Sequence, residues 1–89
     1  MDAKKTGTFI GMLRRQMGLT QAELAERIGV TDKAVSRWET GKGFPDLSLL
    51  QPLAEALGTS VTELLAGEPL SAEEKASRSD SALLEAMGY

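Results

Sequence analysis

Eighty-nine residues, 42% of them apolar and 26% charged, suit one small folded domain and leave little for a second. There is no Cys and no His, which removes disulfides, thiol nucleophiles, imidazole bases and nearly all zinc chemistry together. The net charge of -3 hides an asymmetry: residues 1–45 carry eight Lys and Arg against five Asp and Glu, residues 46–89 two against eight, so a basic face can coexist with an acidic rear.

The aromatics are Phe9, Phe44, Trp38 and Tyr89, so the core must be built mainly from Leu, Ile, Val and Ala. The first residues lack the continuous apolar stretch of a signal peptide, and no run approaches about 18 apolar residues. A soluble, cytoplasmic chain without membrane contact is expected, which the absence of Cys fits without establishing.

Helix signals recur at short intervals and nothing alternates like a strand, so the expected fold class is all-α. Phe9, Ile10, Leu13 and Met17 sit at helical spacing and predict a first helix near 6–17, stopped by Gly18. Thr20 caps a second helix, 21–28, and with Glu23 forms the capping box "TQAE". That helix should bury Leu24, Ala25 and Ile28 and end at Gly29. Thr31 caps a third helix, 32–40, with Gly41 as its stop.

"GKGFPD" reads as a loop and Asp46 as the next cap, opening a fourth helix over 47–57 with a stripe of Leu47, Leu50, Leu53, Ala54 and Leu57. Pro52 lies inside that stripe, so the spacing predicts a kink or a loosened first turn, not two separate helices. Ser60 and Glu63 form a further box, "SVTE", opening a fifth helix near 61–66 with Val61, Leu64 and Leu65. After Gly67 the character changes. "GEPLSAEEKASRSDSALLEAMGY" holds a breaker pair, a third box in "SAEE" and a polar run, with room for a short C-terminal sixth helix within 72–87. Only Leu83, Leu84 and Met87 would give it an apolar face. The chain thus divides into a domain over 1–67 and an acidic tail or helix over 68–89, read as a dimerisation or linker segment.

Two short helices joined by "GVT" form a helix-turn-helix arrangement. Gly29 allows the positive φ of a sharp turn, and Val30 can plug the angle between the helices. At about 100° per residue, Asp32, Lys33, Ser36, Arg37 and Thr40 fall within an arc of roughly 140°, with Ala34, Val35 and Trp38 opposite. A polar face of hydrogen-bonding residues over an apolar back suits a helix lying in a major groove. The plain alternative, a solvated helix face, is weakened by the cap, turn and partner helix that complete the unit.

Residues 18–65, "GLTQAELAERIGVTDKAVSRWETGKGFPDLSLLQPLAEALGTSVTELL", closely resemble the lambda-repressor-like, or xenobiotic-response-element, helix-turn-helix family. The resemblance extends back through "FIGMLRRQM", covers about two-thirds of the chain and is carried by "LTQAELA", the Gly29 turn, "SRWE" and "LGTSVTELL". It implies a five-helix DNA-binding domain acting as a homodimer on a two-fold-related double-stranded site. Carried over position by position, Gln21 would bind a phosphate at the head of the second helix, where free N–H groups and the dipole favour the same anion. Asp32, Lys33, Ser36 and Arg37 fall where the family places residues that reach base edges or nearby backbone. Thr31, Thr40 and Lys42 are candidates for flanking phosphates. Plain capping or solvation is the other reading of Gln21 and Thr31.

Asp32 departs from the amide often found at its place. It is read either as a partner of the helix dipole, as an acceptor from cytosine N4, or as a partner of Lys33 or Ser36. Trp38, on the apolar side with Val35, is assigned to the core. Arg14 and Glu39 resemble a pair joining the family's first and third helices, which would fix the recognition helix more than it stabilises the fold. Without His to activate Ser36 or Ser60, and without a Gly-rich phosphate loop, no enzyme, cofactor or metal is expected. The function expected is a sequence-specific DNA-binding transcriptional regulator. The competing readings are an antitoxin-like protein-interaction module, using the acidic C-terminal half to bind a partner protein, and the N-terminal domain of a larger regulator.

Overall fold

The computed structural model describes residues 2–70 as five α-helices: α1 (Ala3–Gln16), α2 (Gln21–Ile28), α3 (Asp32–Glu39), α4 (Leu50–Leu57) and α5 (Val61–Ala66). A 3-10 turn over Leu47–Leu49 leads into α4, and no strand occurs among the described residues. The sixth helix expected within 72–87, with its "SAEE" box, lies outside the described residues.

Three helices begin on side-chain caps legible in the sequence. The Thr20 hydroxyl accepts from the Glu23 amide while the Glu23 carboxylate accepts from Thr20 N–H, a complete capping box. Thr31 accepts from the Ala34 amide and Ser60 from the Glu63 amide. Helix α1 starts earlier than the expected 6–17 because Asp2 caps it, its carboxylate accepting from the amides of Lys4 and Lys5. Helix α3 stops at Glu39, with Thr40 as its C-cap.

Pro52 behaves as its chemistry requires. It falls in the first turn of α4, where a backbone donor has no intrahelical carbonyl to reach, and the turn before it is 3-10. The loosened first turn replaces a kink. It also changes one expected core contact: Leu47, assigned to the α4 stripe, is 83% exposed, and Leu49 packs on the core instead. The tighter periodicity of the 3-10 turn rotates Leu47 off the face that Leu50, Leu53, Ala54 and Leu57 share.

The core is Phe9, Ile10, Leu24, Ala25, Val35, Trp38, Leu53, Ala54, Leu57 and Leu64, with Leu13, Ile28, Val30 and Val61 packed around it. Met17, counted as a core position of α1, is 48% exposed. The buried positions of α1 lie earlier and include small residues: Thr6, Gly7 and Gly11 are buried with Phe9 and Ile10. The Thr6 hydroxyl donates to the Leu64 carbonyl at 2.7 Å, tying α1 to α5. A Cβ on Gly7 would stand 1.9 Å from the Trp38 carbonyl oxygen, so Gly7 is what lets α1 cross this close to α3. These contacts fix the height and tilt of α3. No helix among the described residues is long and apolar enough to cross a membrane.

Candidate nucleic-acid interface

The site is built from the head of α2, the whole of α3 and the loop after it. Gly29 ends α2 at φ 74°, in the left-handed region, and its neighbour Val30 is half-buried against the core, as a plug between α2 and α3. Val35 and Trp38 anchor the back of α3 in the core. Asp32, Lys33 and Arg37 are exposed on its front, and Ser36 is half-buried between them. The arc read from the sequence is therefore the outward face of the helix, with Thr31 at its N-cap and Lys42 exposed beyond its C-terminal end.

Several of these side chains have partners within the chain. Arg37 Nη2 donates to the Lys42 carbonyl at 2.9 Å, and the Lys42 amide donates back to the Arg37 carbonyl at 2.9 Å. This reciprocal pair closes the loop after α3. Gly43 lies under Arg37, where any Cβ would touch the guanidinium stem. The Thr40 hydroxyl donates toward the carbonyls of Ser36 and Arg37 at 3.0 and 3.2 Å, so a contact from Thr40 to a phosphate requires rotation about χ1. The Thr31 hydroxyl oxygen accepts the Ala34 amide, which leaves its own proton to donate elsewhere.

At the head of α2, Gln21 Nε2 donates to Glu39 Oε1 at 3.1 Å. Glu39 is in turn held by Arg14, whose Nε and Nη2 donate to Oε2 at 2.6 Å and Oε1 at 3.0 Å, while Nη1 donates to the Leu19 carbonyl at 2.7 Å. The two side chains are only 12% and 8% exposed. The pairing expected between the first and third helices is present, and Glu39 raises the pKa of Arg14 through this hydrogen bond against an opposing effect of burial.

Two features were not legible in the sequence. One is the Gln21–Glu39 contact, which spans 18 residues and has no local signal. The other is Lys4, which packs beside the loop of Lys42: a Cβ on Gly41 would meet the Lys4 stem at 3.0–3.3 Å. No group of three or more carboxylates positioned for a metal occurs among the described residues.

A helix-turn-helix family profile matches residues 10–64, which takes in all but the start of α1 and the end of α5. The chain belongs to the lambda-repressor-like helix-turn-helix family. Within the family, the HTH-type transcriptional activator BcrR of Enterococcus faecalis is 41% identical over 58 residues, 65% of this chain but 28% of BcrR, so the chain spans well under two-thirds of that relative. The P22 c2 repressor, solved in complex with a synthetic operator, superposes with a TM-score of 0.68 at 33% identity over 71% of this chain and 96% of the repressor. Hydroxypropylphosphonic acid epoxidase from S. wedmorenis carries a similar fold in about a third of its length, with a TM-score of 0.65, 31% identity and 71% of this chain covered. The fold serves in chains of different activity, so the site residues decide function.

Proposed function

We propose that this DNA-binding transcriptional regulator reads duplex DNA by laying α3 in the major groove. The observation that carries the reading is the division of α3: Val35 and Trp38 are buried while Asp32, Lys33, Ser36 and Arg37 form a polar front with no apolar residue among them. A groove about 12 Å wide accepts such a helix, and Lys33 and Arg37 are the side chains suited to guanine O6 and N7. Arg37 reaches a base by releasing the Lys42 carbonyl. Gln21, Thr31 and Lys42 serve flanking phosphates, Lys4 adds a second cation beside Lys42, and Thr40 joins them on rotation. Asp32 stands at the first position of α3, where the dipole favours a carboxylate, and accepts from cytosine N4 when the groove offers it. We assign no catalysis, cofactor or metal to the chain, and we place its work in the cytoplasm.

The unit on DNA is a homodimer. Helix-turn-helix dimers set their recognition helices about 34 Å apart, one turn of duplex. The contact surface is placed around α5 and the tail, residues 60–89, and joins the apolar hollow of about 270 Å³ lined by Phe44, Pro45, Leu47, Leu50 and Leu65. Leu47 and Leu65 expose apolar surface there, on the 3-10 turn that leads into α4 and on α5.

The test is selection of bound sequences from a random duplex pool, followed by titration of Lys33→Ala and Arg37→Ala on the selected site and on random duplex. Loss of a bidentate base contact costs about 1–3 kcal/mol on the selected site and relaxes preference at one base pair. If both variants bind the selected and random duplexes as the parent does, α3 is not the reading head. Recovery of no site, together with a stable complex through the acidic half, would favour the protein-interaction reading.

A further inference from the structure

Glu39 contacts Gln21 at the head of α2. Its Oε1 accepts from Gln21 Nε2 and from Arg14 Nη2, and its Oε2 from Arg14 Nε. A carboxamide presents a nitrogen with two hydrogens on one side and an acceptor oxygen on the other, whereas an ionised carboxylate only accepts. Glu39 therefore admits the nitrogen of Gln21 and rejects the oxygen, because the flipped amide would set a carbonyl against an anion. The contact decides which way round the amide sits and commits one of its two N–H bonds. Arg14 completes the arrangement. It neutralises a carboxylate whose charge would otherwise oppose a phosphate nearby, and the Leu19 carbonyl holds the guanidinium in place.

We propose that Glu39 is a positioning residue for DNA-backbone binding, fixing the Gln21 amide so that its second N–H is set in advance for a phosphate. The backbone amides of Gln21 and Ala22, the first two of α2, have no intrahelical carbonyl to reach and serve the same anion. The inference rests on Gln21 being a phosphate ligand. Glu39 is also the last residue of α3, so one carboxylate joins the phosphate anchor to the reading helix.

The experiment combines two measurements on the full chain: the side-chain NH2 signals of Gln21 by NMR in the absence of DNA, and the affinity for random duplex with its salt dependence. Glu39→Ala is expected to move the two Gln21 NH2 signals to the positions of a solvent-exposed amide. Gln21→Ala and Glu39→Asp should each weaken binding to random duplex several-fold with the slope of log affinity against log salt near that of the parent, because a neutral amide displaces no counterion, and the double variant should weaken it no more than either alone. Glu39→Asp keeps a charge for Arg14 but withdraws it from Gln21 by one methylene, so its effect is that of the lost contact and not of a freed cation. Gln21 signals unmoved by both Glu39 variants would overturn the proposal, as would a loss of affinity on Glu39→Asp that persists when Gln21→Ala is already in place. Parental affinity of Gln21→Ala for random duplex would sink the phosphate reading of Gln21 itself. The NMR signals would still show whether Glu39 holds the amide, so the two failures are separable.

Discussion

At the scale of single residues, Gly7 and Asp32 carry opposite kinds of constraint. Gly7→Ala drives a methyl into the Trp38 carbonyl, a backbone atom that cannot rotate away, and should cost about 3 kcal/mol by forcing α1 off α3. Thermal unfolding measures this directly, and a variant as stable as the parent would show that the helices can separate without penalty. Asp32→Asn separates its readings. As a partner of the helix dipole it should lose a few tenths of a kcal/mol in stability with base preference unchanged. As a reader of cytosine it should shift the preferred base at one position of the selected site. The polar front of α3 was legible because helical spacing alone orders it, and Trp38 because it shares the side of Val35. Gly7 and Thr6 were not legible as core: counting apolar residues passes over small side chains whose value is the close approach they permit. The hold of Arg37 on Lys42 was hidden for another reason, since it depends on the path of a loop after the helix has ended.

At the scale of elements, boundaries written as caps were legible and rotations set by turn type were not. Thr20, Thr31 and Ser60 each place a hydroxyl within reach of an amide three residues on, a purely local geometry. Leu47 could be placed only by knowing that its turn is 3-10, which follows from how Asp46 and Pro52 share the entry to α4. The Asp46 carboxylate accepts from the hydroxyl and the amide of Ser48, and these two hydrogen bonds hold its pKa below the usual 3.8. The folded form thus favours the ionised group. Its contribution is present above the unfolded value and is lost as pH falls through the depressed one. Protection of the Ser48 and Leu49 amides from exchange, taken relative to their intrinsic rates at each pH, should fall on acidification below about pH 3.8, and Asp46→Ala should bring the same loss of protection at neutral pH. Exchange rates at these amides that are insensitive to the substitution would mean the turn is held by the packing of Leu49 alone.

At the scale of the whole molecule, net charge misdescribes the proposed interaction surface. Lys4, Lys33, Arg37 and Lys42 gather along α3 and its following loop, while the acidic residues concentrate after position 45. Binding to random duplex should therefore weaken steeply with salt despite the chain's overall negative charge. Two variants separate the parts of the proposed dimer surface. Leu47→Asp places a charge in the hollow beside Leu65, and truncation after Leu70 removes the tail. Each should shift analytical ultracentrifugation toward monomer and reduce cooperativity on a two-fold site, and a mass unchanged by both would remove the surface from consideration. The junction at Glu39 has a mechanical consequence for the duplex. With α1, α2 and α3 pinned to one ion pair, and α1 seated on α3 without even a methyl between them, the reading head has little compliance of its own. Where Gln21 and α3 meet DNA as proposed, a site whose phosphates do not match the fixed distance between them must bend or twist to meet it. The elastic cost then falls on steps the protein never touches, and operators become ranked by the stiffness of those silent base pairs as well as by the letters that are read.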